Sequence, residues 1–459
     1  MASRIGYLTP LCLAALVAGC FDDAQLHIFD GGDAASSDLG PVDVPMMPPD
    51  AGADVVTPPD AMNGDVTMPP DGDLDVPTVD VAKDVSRPDV APGECPIDRV
   101  LVTTSDYRNG GYALGRFSPT PSLAARAEMA LDQDHIPVVS NCVVYDMLRS
   151  SDELAVFDPA SYPTPARRIP LRPASSTGTM TYQVNPYDVL GITTTKAYVV
   201  QYAVPQVAVI DPTMSGRDAV RSTIDLAPVR ASMDMDSSGS PEAAAIVRAG
   251  RYAFIALQNL NMYAPVTNGT LAVIDTASDM LVDASAATSG LDPVRLSGRN
   301  PVAMAVTPGG RLVVAEAGVL AFMPPQMLDG GIEVVDPVLL TARGLRITET
   351  QLGGDLSGFV MFDDARGWAL VTQLDMSGTR SSRVVEFDLD AADGMRVGRT
   401  ILMGGDFAAI ARDPTNNVWV LDRTMGRAGA RVINPAGMEI TTMPLSTGAL
   451  APVGIAFVP

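Results

Sequence analysis

The chain has 459 residues, of which 54 are acidic and 31 are basic, so its formal net charge is −23. Binding to nucleic acid needs a basic face, and this charge therefore excludes a nucleic-acid-binding protein. Two histidines and four cysteines also exclude a His-rich metal set and give little material for a Ser-His-Asp or Cys-His catalytic arrangement.

The first twenty residues are typical of an export signal. Arg4 precedes an apolar run from Ile5 to Ala18, which is too short to span a bilayer. The ending Leu16-Val17-Ala18-Gly19-Cys20 resembles the lipobox of bacterial lipoproteins. That resemblance implies a signal peptide at residues 1–19, acylation of Cys20 and membrane attachment through the lipid. The alternative is an ordinary secretory signal that contains a cysteine. By the same resemblance, Phe21 favours the outer membrane, with the protein facing either the periplasm or the cell surface.

Residues 20–95 are expected to form a disordered linker after the lipidated cysteine. Aspartate recurs every few residues, interleaved with Pro, Gly, Ala and Val, and proline pairs stand at 48–49, 58–59 and 69–70. Such a segment cannot bury enough apolar surface to offset its conformational entropy. We interpret it as a solvated tether; the alternatives are a calcium buffer or a decoy for basic partners.

Two cysteines remain after the signal and the lipidation site. Cys95 stands where the linker meets the following domain, and Cys142 lies within that domain. In an oxidising envelope compartment, such a pair predicts one disulfide. Buried free thiols are the alternative.

Residues 96–459 repeat a short apolar phrase that ends in Asp-Pro or a variant of it. Leu154-Ala-Val-Phe-Asp-Pro159 and Val207-Ala-Val-Ile-Asp-Pro212 are two of its copies. The polar residue that ends the apolar part of each copy is, in chain order, Ser118, Asp158, Asp211, Asp275, Asp336, Asp388 and Asn434. These spacings are the period of a propeller blade with loop insertions. Proline cannot continue a strand ladder, and the aspartate can accept hydrogen bonds from the amides of the turn.

Other apolar runs complete each repeat. Lys196–Gln201 and Asn417–Asp422 are examples of a strand before the phrase, and Pro301–Val306 is an example of a strand earlier still. The last run, Ala451–Val458, has no strand after it, while the first, Arg99–Thr103, has none before it. We therefore predict an all-β, seven-bladed propeller that is closed by pairing of its C-terminal strand with its N-terminal blade.

The phrase Val-x-Val-Ile-Asp-Pro resembles the strand repeat of bacterial YVTN-type β-propellers, over most of residues 98–459. The layout of lipobox, acidic linker and propeller is similar to that of myxobacterial envelope lipoproteins. Loops after Asp211 and Asp275 are longer than in compact YVTN repeats. The resemblance implies architecture only, because propellers serve binding, structural and catalytic roles alike.

The candidate metal site is a calcium loop at Asp234, Asp236, Ser238 and Glu242. Oxygen donors at alternate positions followed by Gly239 suit calcium, although Ala245 at the twelfth position excludes an EF-hand. The alternative is an ordinary polar loop. We interpret His135 as a surface residue rather than a catalytic base. We likewise interpret the methionines as gap-filling residues of the propeller core and loops rather than a copper relay, and Trp368 and Trp419 as packing between blades.

The favoured function is a non-catalytic binding or adaptor module for an envelope protein or polysaccharide, carried by a monomer. The main alternative is a carboxylate- and calcium-dependent hydrolase or lactonase of the propeller class, and a structural spacer is a third possibility. No catalytic residues are assigned, and calcium is the one cofactor considered.

Overall fold

The computed structural model describes residues 97–126, 132–158, 164–172, 184–231, 239–261, 264–285, 288–320 and 325–459. These residues form seven antiparallel sheets that follow one another around a ring, so the predicted all-β, seven-bladed propeller is confirmed. The predicted signal peptide, the predicted lipidation site Cys20 and the predicted linker lie outside the described residues. Within the described part, no helix is long and apolar enough to cross a membrane.

Blades 1 to 3 contain the first eleven strands, and the last strand of the chain completes blade 1. They contain β1 (Arg99–Ser105), β2 (Gly110–Arg116) and β3 (Ser122–Arg126); β4 (His135–Ser140), β5 (Val143–Leu148), β6 (Glu153–Phe157) and β7 (Arg167–Pro170); and β8 (Pro186–Thr193), β9 (Lys196–Gln201), β10 (Gln206–Ile210) and β11 (Val220–Asp225). Blade 4 contains β12 (Ala243–Ala249), β13 (Tyr252–Leu257), β16 (Thr270–Asp275), β17 (Met280–Leu281) and β18 (Val294–Arg295). A separate hairpin in blade 4 pairs β14 (Leu260–Asn261) with β15 (Ala264–Pro265).

Blades 5 to 7 follow the same plan. They contain β19 (Pro301–Val306), β20 (Leu312–Glu316), β21 (Gly331–Asp336) and β22 (Thr341–Thr348); β23 (Asp355–Met361), β24 (Arg366–Leu374), β25 (Arg380–Asp388) and β26 (Val397–Gly405); and β27 (Phe407–Arg412), β28 (Val418–Asp422), β29 (Gly429–Ile433) and β30 (Leu445–Ser446). The helix α1 (Glu349–Leu352) joins blades 5 and 6, and the last strand is β31 (Ala451–Val458).

Strand β31 closes the ring as the innermost strand of blade 1. It pairs with β1 in antiparallel register from Arg99 opposite Val458 to Ser105 opposite Ala451. The Arg99 side chain also donates to the carbonyl of Pro459 at 3.0 Å. The predicted closure is therefore confirmed, and it removes the free sheet edge that an open array of blades would expose.

The repeated phrase closes the third strand of its blade. Its aspartate accepts hydrogen bonds from the turn that follows: Asp336 Oδ1 accepts the N–H groups of Val338 at 3.1 Å and Leu339 at 3.0 Å. These bonds, led by the one from Leu339, lower the pKa of Asp336. The same aspartate pairs with Arg343 at 2.7 Å. The phrase thus ends one strand and fixes the turn into the next.

The core lies between neighbouring blades. Second and third strands are covered on both faces, so they appear in the sequence as continuous apolar runs, and every residue of β20 is buried. Trp368 and Trp419 belong to clusters that join blades 6 and 7 and blades 7 and 1. Both are fully buried, and the Trp419 indole N–H donates to Asp413 at 3.0 Å. Their interpretation as packing residues is confirmed.

Candidate functional site

The innermost strands surround the propeller axis. They are β31, β4, β8, β12, β19, β23 and β27, and each contacts the next around the ring. We call the face at which the innermost strands begin and the second strands end the mouth face. Gly454 lies in the wall of the channel, where a Cβ would come within 2.7 Å of Pro137 Cδ, so glycine permits β31 and β4 to approach each other.

A cavity of about 440 Å³ opens along the axis. All seven innermost strands line it, mainly through their first halves, so it extends inward from the mouth face. Its inner walls are apolar and include Val138, Val302, Phe359, Ile410 and Ile455. Its volume is within the range of small-molecule sites in proteins, which are mostly apolar with a few converging polar groups.

Blades 2 to 4 contribute a polar aromatic wall at the mouth. The guanidinium of Arg149 lies 4.5 Å from the ring centre of Tyr187, and Tyr187 stacks on Tyr202 at 4.7 Å. The Tyr202 hydroxyl donates to Gln258 Oε1 at 2.9 Å. Arg149 also donates from Nε to Asn185 Oδ1 at 2.9 Å, and this hydrogen bond fixes the plane of the guanidinium. Arg149, Tyr187 and Gln258 all line the cavity.

Blades 6 and 7 contribute a charged wall made of Asp355, Arg380, Asp406 and Arg423. Arg423 donates to Asp406 Oδ1 at 3.2 Å, and its backbone N–H donates to the Asp406 carbonyl at 2.7 Å. Burial lowers the pKa of Arg380, and the carboxylates of Asp355 and Asp406 oppose that lowering. The four side chains therefore form one electrostatic group beside the apolar cavity, where charge interactions are stronger than in water.

Asp188 lies on the cavity wall between blades 3 and 4. Its Oδ1 accepts the N–H of Val189 at 2.8 Å and its Oδ2 accepts the N–H of Ile246 at 2.9 Å. Burial raises the pKa of Asp188 to about 6, although these two hydrogen bonds oppose the rise. Asp188 thus joins two innermost strands, and both of its oxygens already accept a hydrogen bond.

Several methionines are exposed instead of filling gaps as predicted, and three of them stand on the mouth face in consecutive blades. Met327, Met376 and Met425 lie in the connections between the second and third strands of blades 5, 6 and 7, and they are 51%, 85% and 97% exposed. The Gln326 side chain donates to the Thr372 carbonyl at 2.8 Å and accepts the Leu374 N–H at 3.2 Å. The Met327 segment is thereby fixed against the base of the Met376 hairpin.

The predicted calcium loop is only partly described. Asp234, Asp236 and Ser238 lie outside the described residues. Glu242 is buried, and its Oε2 accepts the N–H of Leu260 at 2.7 Å, so it holds the start of blade 4. Among the described residues, no three or more His, Cys, Asp and Glu side chains are grouped in a way that could hold a metal ion.

The predicted disulfide is not decided by the structure. Cys142 lies in the turn between β4 and β5, half-buried, with a φ of 61°. Cys95 lies outside the described residues, and the pairing of the two cysteines stays a prediction.

The interpretation of His135 as a surface residue is wrong. His135 is the first residue of β4 and is fully buried; its Nδ1 lies 2.9 Å from Asp146 Oδ2. The Tyr112 hydroxyl donates to the same carboxylate oxygen at 2.5 Å. Burial opposes the charged imidazolium, but the Asp146 carboxylate, together with Asp132 and a backbone hydrogen bond at Thr104, outweighs burial and raises the pKa of His135. The sequence placed His135 in a loop before the second blade, whereas it begins β4 and pairs with a buried acid of the adjacent strand.

Three buried glutamates around blade 5 were not recognised from the sequence. Glu333 accepts the N–H groups of Ser297 and Gly344, both at 2.7 Å, and Glu349 accepts those of Gly330 at 2.9 Å and Leu356 at 2.7 Å. Burial raises the pKa of Glu349 to about 8. Burial and then the nearby Glu333 carboxylate raise the pKa of Glu316 well above its usual value. None of the three glutamates lines the cavity, and Glu333 and Glu349 hold blade connections in place through these hydrogen bonds.

Comparison with known proteins adds fold-level similarities. No family model and no curated protein matches this sequence. A protein of unknown function from Desulfotomaculum acetoxidans matches with a TM-score of 0.47 and 14% identity, over 79% of this chain and 99% of that one. A protein of unknown function from Bacteroides caccae matches with a TM-score of 0.39 and 10% identity, over 78% of this chain and 98% of that one. Virginiamycin B lyase from Staphylococcus aureus matches with a TM-score of 0.41 and 8% identity, over 70% of this chain and 90% of that one. Similarity at this level carries no information on function.

Proposed function

We propose that this chain is an outer-membrane lipoprotein whose propeller, of the YVTN type, is a non-catalytic binding module for an envelope protein or polymer. The lipobox-like sequence ending at Cys20 supports the anchoring, and the acidic segment that follows supports a tethered domain. A rigid ring with loops on its faces is suited to presenting a binding surface.

The observation that carries the binding proposal is the set of exposed methionines on the mouth face. Met376 and Met425 are among the most exposed apolar side chains of the described residues, and they occupy equivalent hairpin tips in adjacent blades. Methionine is flexible and polarisable, so it adapts to the shape of a partner, and exposed apolar groups beside polar ones are typical of interaction surfaces. The partner that this surface fits is a protein with a complementary apolar patch.

Both hairpin tips are ordered before any partner binds. Asp375 Oδ1 accepts the N–H groups of Ser377 at 2.8 Å and Thr379 at 2.9 Å, which fixes the Met376 turn. Asp422 Oδ1 accepts the Thr424 N–H at 2.9 Å, which fixes the turn that carries Met425. A preordered backbone reduces the entropy that is lost on binding.

The experiment is crosslinking of the tagged, full-length protein in its native envelope, with mass-spectrometric identification of its partners. The variant Met376→Asp/Met425→Asp places charges on the mouth face, and we expect it to lose a stoichiometric partner that the wild type captures. The matched control is Met395→Asp/Met438→Asp. Those methionines are 74% and 62% exposed but lie in connections between third and fourth strands, on the opposite face. Retention of the partner by the mouth-face variant, or loss in both variants, would contradict the assignment of this surface.

Anchoring is tested separately. A Cys20→Ala variant should move from the membrane fraction to the soluble fraction after cell lysis, because the acyl chains are the proposed attachment. A variant that stays in the membrane fraction would contradict the lipoprotein proposal and leave the binding experiment unaffected.

A further inference from the structure

The cavity combines an apolar interior with charges of both signs at its mouth. Arg149, Arg380 and Arg423 line it together with Asp188, Asp355 and Asp406, and most of the remaining lining residues are apolar. The cavity is separate from the methionine surface, whose residues are absent from its lining. A ligand that enters it would therefore meet both cationic and anionic groups before reaching the apolar wall.

The positive groups face the cavity from two separate parts of the ring. Arg149 comes from blade 2, while Arg380 and Arg423 come from blades 6 and 7, which are three and two blades away from it around the ring. Each guanidinium has five N–H donors, so an arginine that is oriented by a neighbour, as Arg149 is by Asn185 and Arg423 by Asp406, can also donate to a ligand. Guanidinium groups held in fixed planes are suited to binding a carboxylate.

The negative groups are not equivalent. Asp188 already accepts two backbone N–H groups and joins two blades, so its role is internal. Asp355 and Asp406 stand at or just before the starts of innermost strands in adjacent blades, beside Arg380 and at the mouth. A ligand ammonium that approaches this pair would be attracted by two carboxylates while its own carboxylate reaches a neighbouring guanidinium.

The apolar part of the cavity determines the size and the chemistry of the uncharged part of the ligand. Val302, Phe359, Ile410 and Ile455 converge below the charged mouth, and the cavity has about 440 Å³. This volume accommodates one or two apolar side chains, whose transfer from water would supply most of the binding free energy. An uncharged hydrocarbon would fill the apolar interior but would make no hydrogen bond to the charged groups of the mouth.

We infer that the channel cavity binds a small zwitterion with an apolar body, of the class of hydrophobic amino acids and short peptides. The carboxylate is held by the arginines of the mouth, the ammonium lies beside Asp355 and Asp406, and the side chains occupy the apolar interior. This inference goes beyond the proposed docking of a protein and does not depend on it.

The test is calorimetric titration of the full chain with L-leucyl-L-phenylalanine and with three blocked forms of it. The N-acetyl form lacks the ammonium, the C-terminal amide lacks the carboxylate, and the doubly blocked form lacks both. We expect the zwitterion to bind and each single block to weaken binding at least about tenfold, since a hydrogen bond to a charged group contributes roughly that factor. This series needs no variant and therefore does not depend on the stability of any substitution.

Two variants then test which side chain binds the carboxylate of the ligand and which binds its ammonium group. Arg380→Gln should weaken binding of the N-acetyl form, which retains the carboxylate, and leave the amide form unchanged. Asp355→Asn should do the reverse. The control is Arg366→Gln, because Arg366 is an exposed arginine of the same blade that pairs with Asp363 at 2.7 Å, in the turn between first and second strands on the opposite face.

Two results would overturn the inference. One is the absence of heat and of thermal stabilisation with the zwitterion at millimolar concentration. The other is equal affinity for all four forms, which would indicate an apolar cavity without charge recognition. Neither result bears on the crosslinking experiment, whose variants lie outside the cavity.

Discussion

Stability is expected to fall as the pH rises from 5 to 7, and Glu349 is a principal cause. Its carboxyl group is fully buried in α1, and its pKa is raised from 4.5 to about 8. Between these two values the native state binds more protons than the unfolded state, so unfolding releases a proton and is favoured by higher pH. The raised pKa values of His135 and Asp188 act in the same direction between pH 5 and 7.

The size of the Glu349 contribution follows from the two pKa values. One pKa unit corresponds to about 1.4 kcal/mol, and a carboxyl group shifted from 4.5 to about 8 loses about 2 to 3 kcal/mol of stability between pH 5 and 7. Glu349→Gln removes this titration. It also places an amide NH₂ against one of the two N–H groups that Glu349 accepts, so its absolute stability should be lower at both pH values.

The measurement is urea unfolding at pH 5 and pH 7, followed by fluorescence of the buried Trp368 and Trp419. The quantity compared is the change in unfolding free energy between the two pH values. We expect this change to be smaller by about 2 to 3 kcal/mol in Glu349→Gln than in the wild type. Glu386→Gln, whose side chain is 41% exposed, is the control and should keep the wild-type change. Equal pH dependence in wild type and Glu349→Gln would refute the reasoning.

Two further predictions concern closure and the buried histidine. Removal of residues 449–459 deletes β31 and leaves β1 without its inner neighbour. Thermal unfolding followed by circular dichroism should then show no cooperative transition. A transition like that of the full chain would contradict the role of β31 in closing the ring. Tyr112→Phe removes a hydroxyl donor from the buried Asp146 carboxylate and should cost about 1 to 3 kcal/mol in urea unfolding, while Tyr252→Phe, at a less buried tyrosine, should cost much less. Equal losses in the two variants would show that Asp146 does not depend on this donor.

Much of the fold could be predicted from the sequence because each blade repeats the same local chemistry. The Asp336 turn is visible as a motif, since an apolar run, an aspartate and a proline act within a few residues. The runs Lys196–Gln201 and Ala451–Val458 coincide with β9 and β31. Blade 4 is harder to place, because its fourth strand, β17, has two residues and β18 adds to the same sheet after a long loop.

The cavity mouth could not be predicted in the same way. Arg149, Arg380 and Arg423 are far apart in the sequence and follow or begin strands with no shared motif. They converge only because the ring brings corresponding ends of separate blades to one face. His135 and Glu349 were missed for a related reason: a charged or ionisable side chain suggests exposure, and its buried partners are supplied by other elements or distant backbone groups.

The pairing of β1 with β31 also sets the order of events during synthesis. Arg99 bonds to Pro459, 360 residues later, so β1 must persist with an open inner edge until the rest of the propeller has been made. Contacts between such distant residues slow folding, and an unpaired edge is open to association with other chains in the meantime. The newly made chain therefore depends on being shielded from its neighbours for as long as its translation lasts.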